Sequence, residues 1–135
     1  MKGIYALAIS VKKNIVVNVG ALHEISFEKG LYVYVGSAQN GLEKRTARHL
    51  RKIKRRFWHI DYLLAADNVS VLKVFGKKGS RSEECKLARE LDKIGTAIKG
   101  FGSSDCGCKG HLFKLSSHEF LSEWMDELSL ARAKL

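Results

Sequence analysis

The sequence predicts an α/β domain of the α+β type: a small, largely antiparallel central sheet flanked by helices. Two patterns carry this. The first third holds short apolar runs rich in β-branched residues, Ile4–Ile9, Ile15–Val19 and Leu31–Val35, each bounded by polar residues or glycine, which is strand patterning. Later segments, 40–55 and 80–98, place apolar residues at three- and four-residue steps, which is helix patterning. The chain has 135 residues and no proline, so it reads as one domain whose reversals rely on Gly, Asn, Asp and Ser.

Taken in order, Lys12-Lys13-Asn14 reads as a hairpin turn joining the first two strands. Residues 20–30 form a polar connection carrying His23, and Gly36 ends the third strand. In the helix over 40–55, Leu42, Thr46, Leu50, Ile53 and Phe57 would pack on the sheet. A short helix follows over 57–66, with Trp58, Tyr62, Leu63 and Leu64 in the core and His59 and Asp61 as its polar members. His59 reads as a surface or core-edge histidine. Val69–Phe75 is a further strand and Gly76–Gly79 a flexible turn. Ser80 and Glu83 fit a capping box opening the next helix. Leu112–Leu115 would close the sheet. Ser116 and Glu119 fit a second box before a C-terminal helix within 117–135, whose stripe of Phe120, Leu121, Trp124, Met125 and Leu128 suits core packing.

Composition narrows the partners. Lys and Arg number 24 against 14 Asp and Glu, a formal charge of +10, which suits a polyanion: nucleic acid or an anionic membrane surface. No apolar run reaches the ~18 residues that a membrane-spanning helix requires, and the N-terminus makes no convincing signal peptide. Three cysteines in this context point to a reducing cytoplasm rather than a disulfide framework.

The chemistry-bearing residues gather around two stretches, Gly3-Ile4-Tyr5 and Tyr34-Val35-Gly36. Side chains alternate along a strand, so Tyr32 and Tyr34 share a face on which Gly36 opens space. If the two strands pair, Tyr5 and Tyr34 meet over a glycine gap. The helix that follows carries Arg45, Arg48, His49, Lys52 and Arg56 as a second stripe. A solvated basic face is the usual fate of such a run. The tyrosine strand before it and the Arg45–His49 spacing favour substrate contact instead, with Arg48, Lys52, Arg55 and Arg56 on nucleic acid. On the helix over 80–98, Glu84 lies on the side of Leu87, Ala88, Leu91, Gly95 and Ile98. An inward carboxylate needs a partner, either a divalent cation or one of the arginines. Cys106-x-Cys108-x-x-His111 offers three zinc-type ligands, but the spacing is not a common zinc pattern and a fourth ligand is missing. A tight glycine-rich turn with buried thiols is the expectation there.

Together, Gly3-Ile4-Tyr5, Tyr34-Val35-Gly36-Ser37-Ala38, Glu43-Lys44-Arg45 and His49 resemble the GIY-YIG nuclease superfamily. Gly102-Ser103-Ser104-Asp105-Cys106-Gly107-Cys108 with His111-Leu112-Phe113 is similar to a stand-alone archaeal and bacterial subgroup of GIY-YIG domains of unknown function. The resemblance covers residues 3–115 in short motifs. It implies a metal-dependent endonuclease acting on DNA in repair or recombination, with DNA favoured over RNA as partner. The alternative is a non-catalytic nucleic-acid-binding module, or a subunit working with a larger repair protein.

The resemblance also implies roles. One Mg2+ or Mn2+ would sit on Glu84, with Glu83 as the other candidate. Arg45 would contact the scissile phosphate, Tyr5 would be the general base with Tyr34 in its proton network, and His49 would assist proton transfer or orient a phenol. A phenol with an ordinary pKa near 10 is a poor base at neutral pH, so Arg45 and the metal are expected to lower it. The spacing from Gly36 to Arg45 is about one residue longer than in the homing and repair enzymes, with Gly41 in the extra space. Those enzymes carry separate DNA-reading domains. Without one, sequence specificity is expected to be weak or supplied by a partner, and the oligomeric state is left open.

Overall fold

In the computed structural model the described residues are 3–38, 41–51, 58–102 and 108–128. The core is built around one strand, β1 (Gly3–Val11). Its near-continuous apolar run has no polar face to leave in water, so both faces are covered. β4 (Gly30–Ala38) pairs with one edge of β1 and β5 (Val69–Lys78) with the other. β7 (Leu112–Leu115) extends the sheet beyond β4, and β6 (Thr96–Ala97) extends it beyond β7. β8 (Asp126–Leu128) lies outside β5. Every pairing is antiparallel, and the order is β6-β7-β4-β1-β5-β8. The mixed α+β class read from the sequence is what the chain adopts.

Tyr5, Leu7, Ile9 and Val11 of β1 pack with Leu42 of α1 (Leu42–Leu50) and with Ile60, Leu63 and Leu64 of α2 (His59–Leu64). Ile4, Ala6 and Ala8 pack with Leu87, Ala88 and Leu91 of α3 (Arg81–Ile94), and with Leu121 of α4 (Leu121–Trp124). The alternation is thus large residues toward α1 and α2, and mostly small ones toward α3.

Several local expectations change. β1 and β2 (Ile15–Asn18) do not form a hairpin; β2 pairs with β3 (Glu24–Phe27) in a separate two-stranded sheet. The reason is that both edges of β1 are occupied by β4 and β5. The Lys12 N–H instead donates to the Asn68 carbonyl, 2.9 Å away. The connection over 20–30 therefore contains a strand and a 3-10 turn at Gly20–Leu22.

β4 and β5 run through the glycines taken as their ends, so Gly36 and Gly76 are strand residues. α3 stops at Ile94, and Gly95 leads into β6. A Cβ on Gly95 would collide with Leu115. No capping box forms at Ser80: its hydroxyl lies 2.7 Å from that of Ser82, while Glu83 reaches Lys77 at 3.4 Å. At the next box the serine that bonds the Glu119 N–H is Ser117. The amphipathic C-terminal stripe is split among the described residues: α4 spans one turn, and Asp126–Leu128 then pair with β5. A period-3.6 pattern with few residues fits a helical turn followed by a strand equally well.

Tyr5 faces a glycine on each side, opposite Gly36 of β4 and Gly76 of β5. The phenol lies over Gly36, where an added Cβ would overlap its Oη and Cζ. A Cβ on Gly76 would come 2.9 Å from Leu42 Cδ2, the residue that docks the start of α1. Gly36→Ala is expected to lower stability by about 1–3 kcal/mol through overpacking. The loss should shrink in a Tyr5→Ala background, measured as a double-mutant cycle in urea. Equal losses in both backgrounds would separate Gly36 from the phenol.

Candidate functional site

α1 begins after Gly41 and buries Leu42, Thr46 and His49 against the sheet. Thr46 adds a bond from its hydroxyl to the Leu42 carbonyl at 3.0 Å. The three- and four-residue spacing that puts these residues inside also aims His49 at β1. Its Nε2 lies 2.6 Å from Tyr5 Oη in a buried hydrogen bond. His49 therefore does not lie on a solvated basic face: it is 2% exposed. The ring centroids of Tyr5 and Tyr34 are 6.3 Å apart, and that of His49 is 5.2 Å from Tyr5 and 6.1 Å from Tyr34. The two tyrosines thus meet beside a glycine as the strand patterning expects, with the histidine as third member.

The arginines of α1 are anchored rather than splayed into solvent. Arg45 donates from Nη1 to the Ser37 carbonyl at 3.1 Å, and its guanidinium lies 4.3 Å from the Trp58 ring centroid. Arg48 also lies 4.3 Å from that centroid. Its Nη1 and Nη2 donate to the two carboxylate oxygens of Asp61 at 2.8 and 2.9 Å. This is the fork geometry of a bidentate pair. Asp61 is fully buried and also accepts from the Trp58 N–H at 2.9 Å. Arg48 is therefore a partner of a buried carboxylate, an assignment that binds one of the expected nucleic-acid contacts to the core. Lys52, Arg55 and Arg56 lie outside the described residues.

Glu84 is in the first turn of α3. Its side chain is 15% exposed, and Oε2 lies 2.6 Å from Nδ1 of the buried His111. Among the described residues, the partner of the inward carboxylate is thus a histidine. Glu83 is 41% exposed and pairs with Lys77, which leaves Glu84 as the inward one. Its charge is felt at both tyrosines, pushing each phenol's pKa up. Tyr5, Tyr34, Arg45, His49 and Glu84 therefore share one electrostatic neighbourhood.

Burial is the largest influence on both phenols. It drives the Tyr5 pKa far above its ordinary value, with the Arg45 charge and hydrogen bonding pulling it back and Glu84 and Asp61 adding to the rise. Tyr34 is pushed well above its ordinary value by burial first, then by Tyr5, Glu84 and Asp61, with Arg45 opposing. The expected lowering by Arg45 is present but is outweighed by desolvation. His59 Nδ1 accepts the Gly102 N–H at 2.9 Å, and burial holds its pKa below the ordinary 6.5. It is a core-edge structural histidine.

Cys108 and His111 do stand together, but their described neighbour is Cys85 of α3. One ligand atom from each lies within 4.8 Å of the others, a group that could hold a metal ion. Cys106, Ser104 and Asp105 lie outside the described residues. Cys85 carries no sequence signal beyond its residue type, because its partners come from a segment more than twenty residues away. Trp58 and Asp61 were legible as core and polar members of a helix, but not as the pair that anchors two arginines.

The chain matches the domain of unknown function DUF123 over residues 4–132 and belongs to that family. No curated protein and no solved structure matched it. Among the described residues no helix is long and apolar enough to cross a membrane.

Two outcomes follow from the buried charges. Arg48→Ala removes the bidentate cation from buried Asp61 and should cost about 3–5 kcal/mol, read by urea denaturation. In alkali, the raised phenols keep their protons in the fold while unfolded phenols lose theirs near pH 10. Their contribution is full below that pH and is lost as pH rises through the folded values. Phenolate absorbance from Tyr5 and Tyr34 should therefore appear together with unfolding by circular dichroism. Ionisation of all tyrosines in a still-folded chain would contradict this burial.

Proposed function

We propose that this member of the DUF123 family is a metal-dependent endonuclease of the GIY-YIG type that hydrolyses phosphodiester bonds in DNA. The observation that carries the reading is the buried Tyr5–His49 hydrogen bond beside Gly36, within the field of both Arg45 and Glu84. Phosphodiester hydrolysis needs a proton acceptor for water, a cation on the phosphate and a stabilised leaving oxygen. These residues offer one candidate for each duty. The net charge of +10 supports a polyanionic substrate.

The proton path avoids a free phenolate. With His49 in the Nδ1–H tautomer, neutral Tyr5 donates its O–H to Nε2 across 2.6 Å. As the attacking water gives a proton to Tyr5 Oη, the phenol proton moves to His49. Desolvation opposes charge on Tyr5, so such a relay suits the site better than a standing phenolate. Tyr34 packs beside this pair and holds its orientation. Arg45, fixed by Ser37 and Trp58, has further guanidinium N–H groups to offer a phosphate oxygen.

Glu84 offers a hard oxygen donor of the kind Mg2+ or Mn2+ takes, and a single carboxylate plus substrate phosphate and water is a normal Mg2+ environment. A divalent ion held there supplies charge neutralisation at the phosphate and leaving group. Repair or recombination is the setting this activity fits.

A second reading is favoured by one observation: Tyr5 is 1% exposed. A sealed phenol suits a domain that holds nucleic acid without cutting it, or a subunit of a repair complex.

Plasmid nicking by purified protein with added Mg2+ or Mn2+ separates the two. Tyr5→Phe, Arg45→Ala and Glu84→Gln should each lower cleavage by about a hundredfold to ten-thousandfold while the fold survives. Glu84→Gln should also lose the response to metal, and Tyr5→Phe should keep it. Tight DNA binding without nicking under any metal would establish the binding module. Binding itself should weaken steeply as salt rises.

A further inference from the structure

Cys85, Cys108 and His111 come from separate parts of the fold, and the fold holds two of them by backbone bonds. His111 leads into β7; its N–H donates to the Phe101 carbonyl at 2.7 Å and its carbonyl accepts the Val35 N–H at 2.9 Å. Cys108 precedes it by three residues. The Lys109 carbonyl accepts the Gly100 N–H at 2.6 Å, and Lys109 Nζ reaches Asp92 of α3 at 3.7 Å. Cys85 sits in the first half of α3 and faces this approach.

We infer that Cys85, Cys108 and His111 form a zinc-type metal site, distinct in chemistry from the hard-oxygen site proposed at Glu84. Both thiols are free of disulfide bonds. The three donor atoms lie within 4.8 Å of one another. Tetrahedral zinc with Zn–S near 2.3 Å and Zn–N near 2.0–2.1 Å sets its donors roughly 3.4–3.8 Å apart. Each donor therefore needs to shift by only about half an ångström.

Two thiolates and one imidazole select a borderline-soft ion such as Zn2+ over Mg2+ or Ca2+. Glu84 completes the argument. Its carboxylate lies 2.6 Å from Nδ1 of His111, an arrangement in which Nε2 would be the nitrogen that takes the metal. A carboxylate on the far nitrogen of a ligating histidine is the usual outer support of such sites. Among the described residues these are the three donors within reach of one ion. Binding releases the two thiol protons, giving a neutral core of Zn2+ and two thiolates. The ion staples α3 to the approach to β7, and it fixes His111 against Glu84.

The test uses the full chain, stripped with chelator under reducing conditions and titrated with Co2+. One equivalent should give the near-ultraviolet thiolate-to-cobalt charge-transfer band, removed by one equivalent of Zn2+. Cys85→Ser should lose most of that band. Glu84→Gln should retain it but weaken metal affinity by about 10–100-fold. In the unmodified chain, Zn2+ should protect Cys85 and Cys108 from alkylation, mapped by mass spectrometry, which keeps the test valid if Cys85→Ser fails to fold. No thiolate–cobalt band, an unchanged band in Cys85→Ser, alkylation indifferent to Zn2+, or isolation of the chain with Cys85 and Cys108 joined as a disulfide would each overturn the inference. None of these readouts depends on nuclease activity, so they stand apart from the outcome of the nicking assay.

Discussion

The rest of the structure depends on where the Tyr5 ring lies. It sits near the start of the central strand, opposite a glycine on each neighbour. With no Cβ at Gly36, the phenol can lie down over the backbone of β4 instead of standing away from the sheet. That posture brings Oη to His49 on α1. It also leaves the Gly76 side open, and Leu42 fills it, which sets the start of α1. One side chain thus fixes both the hydrogen bond at the candidate site and the docking of the helix that carries Arg45 and His49.

Burial and charge pull in opposite directions around this ring. Sealing Tyr5 raises the energy of its ionised form, and Arg45 recovers only part of that. The neighbouring charges are held in fixed pairs: Arg48 with Asp61, and Glu84 with His111. Pairing keeps each buried carboxylate from standing alone, which would be costly. Trp58 serves the same end by lying against both guanidiniums while its N–H bonds Asp61. The chain therefore holds Arg45 and Arg48 against one indole ring, with Arg48 also bound to Asp61.

Much of this was legible in the residues, and what was not has identifiable causes. The alternation of Tyr32, Tyr34 and Gly36 placed the tyrosines correctly, because a period of two allows only two faces. Helical spacing put Glu84 inward and Leu42 and Thr46 on the sheet, as found. The same spacing put His49 in the cationic stripe, whereas its ring is buried against Tyr5, because a stripe's edge cannot be assigned without knowing how far the helix is rotated. The Lys12-Lys13-Asn14 break was a real turn signal, but turn chemistry says nothing of which strand waits on the other side. Gly76 was read as a breaker because its reason for lacking a side chain, Leu42, is more than thirty residues away. Arg48–Asp61 and Cys85–Cys108–His111 are contacts across the fold, and no local pattern encodes them.

Glu84 and His111 connect the two chemistries proposed for this chain. The carboxylate has two oxygens, and one of them lies against the imidazole. If His111 ligates a zinc-type ion through Nε2, the Nδ1 side of its ring becomes more positive toward Glu84, since coordination withdraws electron density from the ring. That holds Glu84 in place at the edge of the apolar face, near enough for its charge to act on both tyrosines. A rigid carboxylate is what a single-metal nuclease requires, because a displacement of about 1 Å from productive geometry is costly in rate. The thiol cluster on the α3 side would then be a supporting layer for the phosphate site on the α1 side.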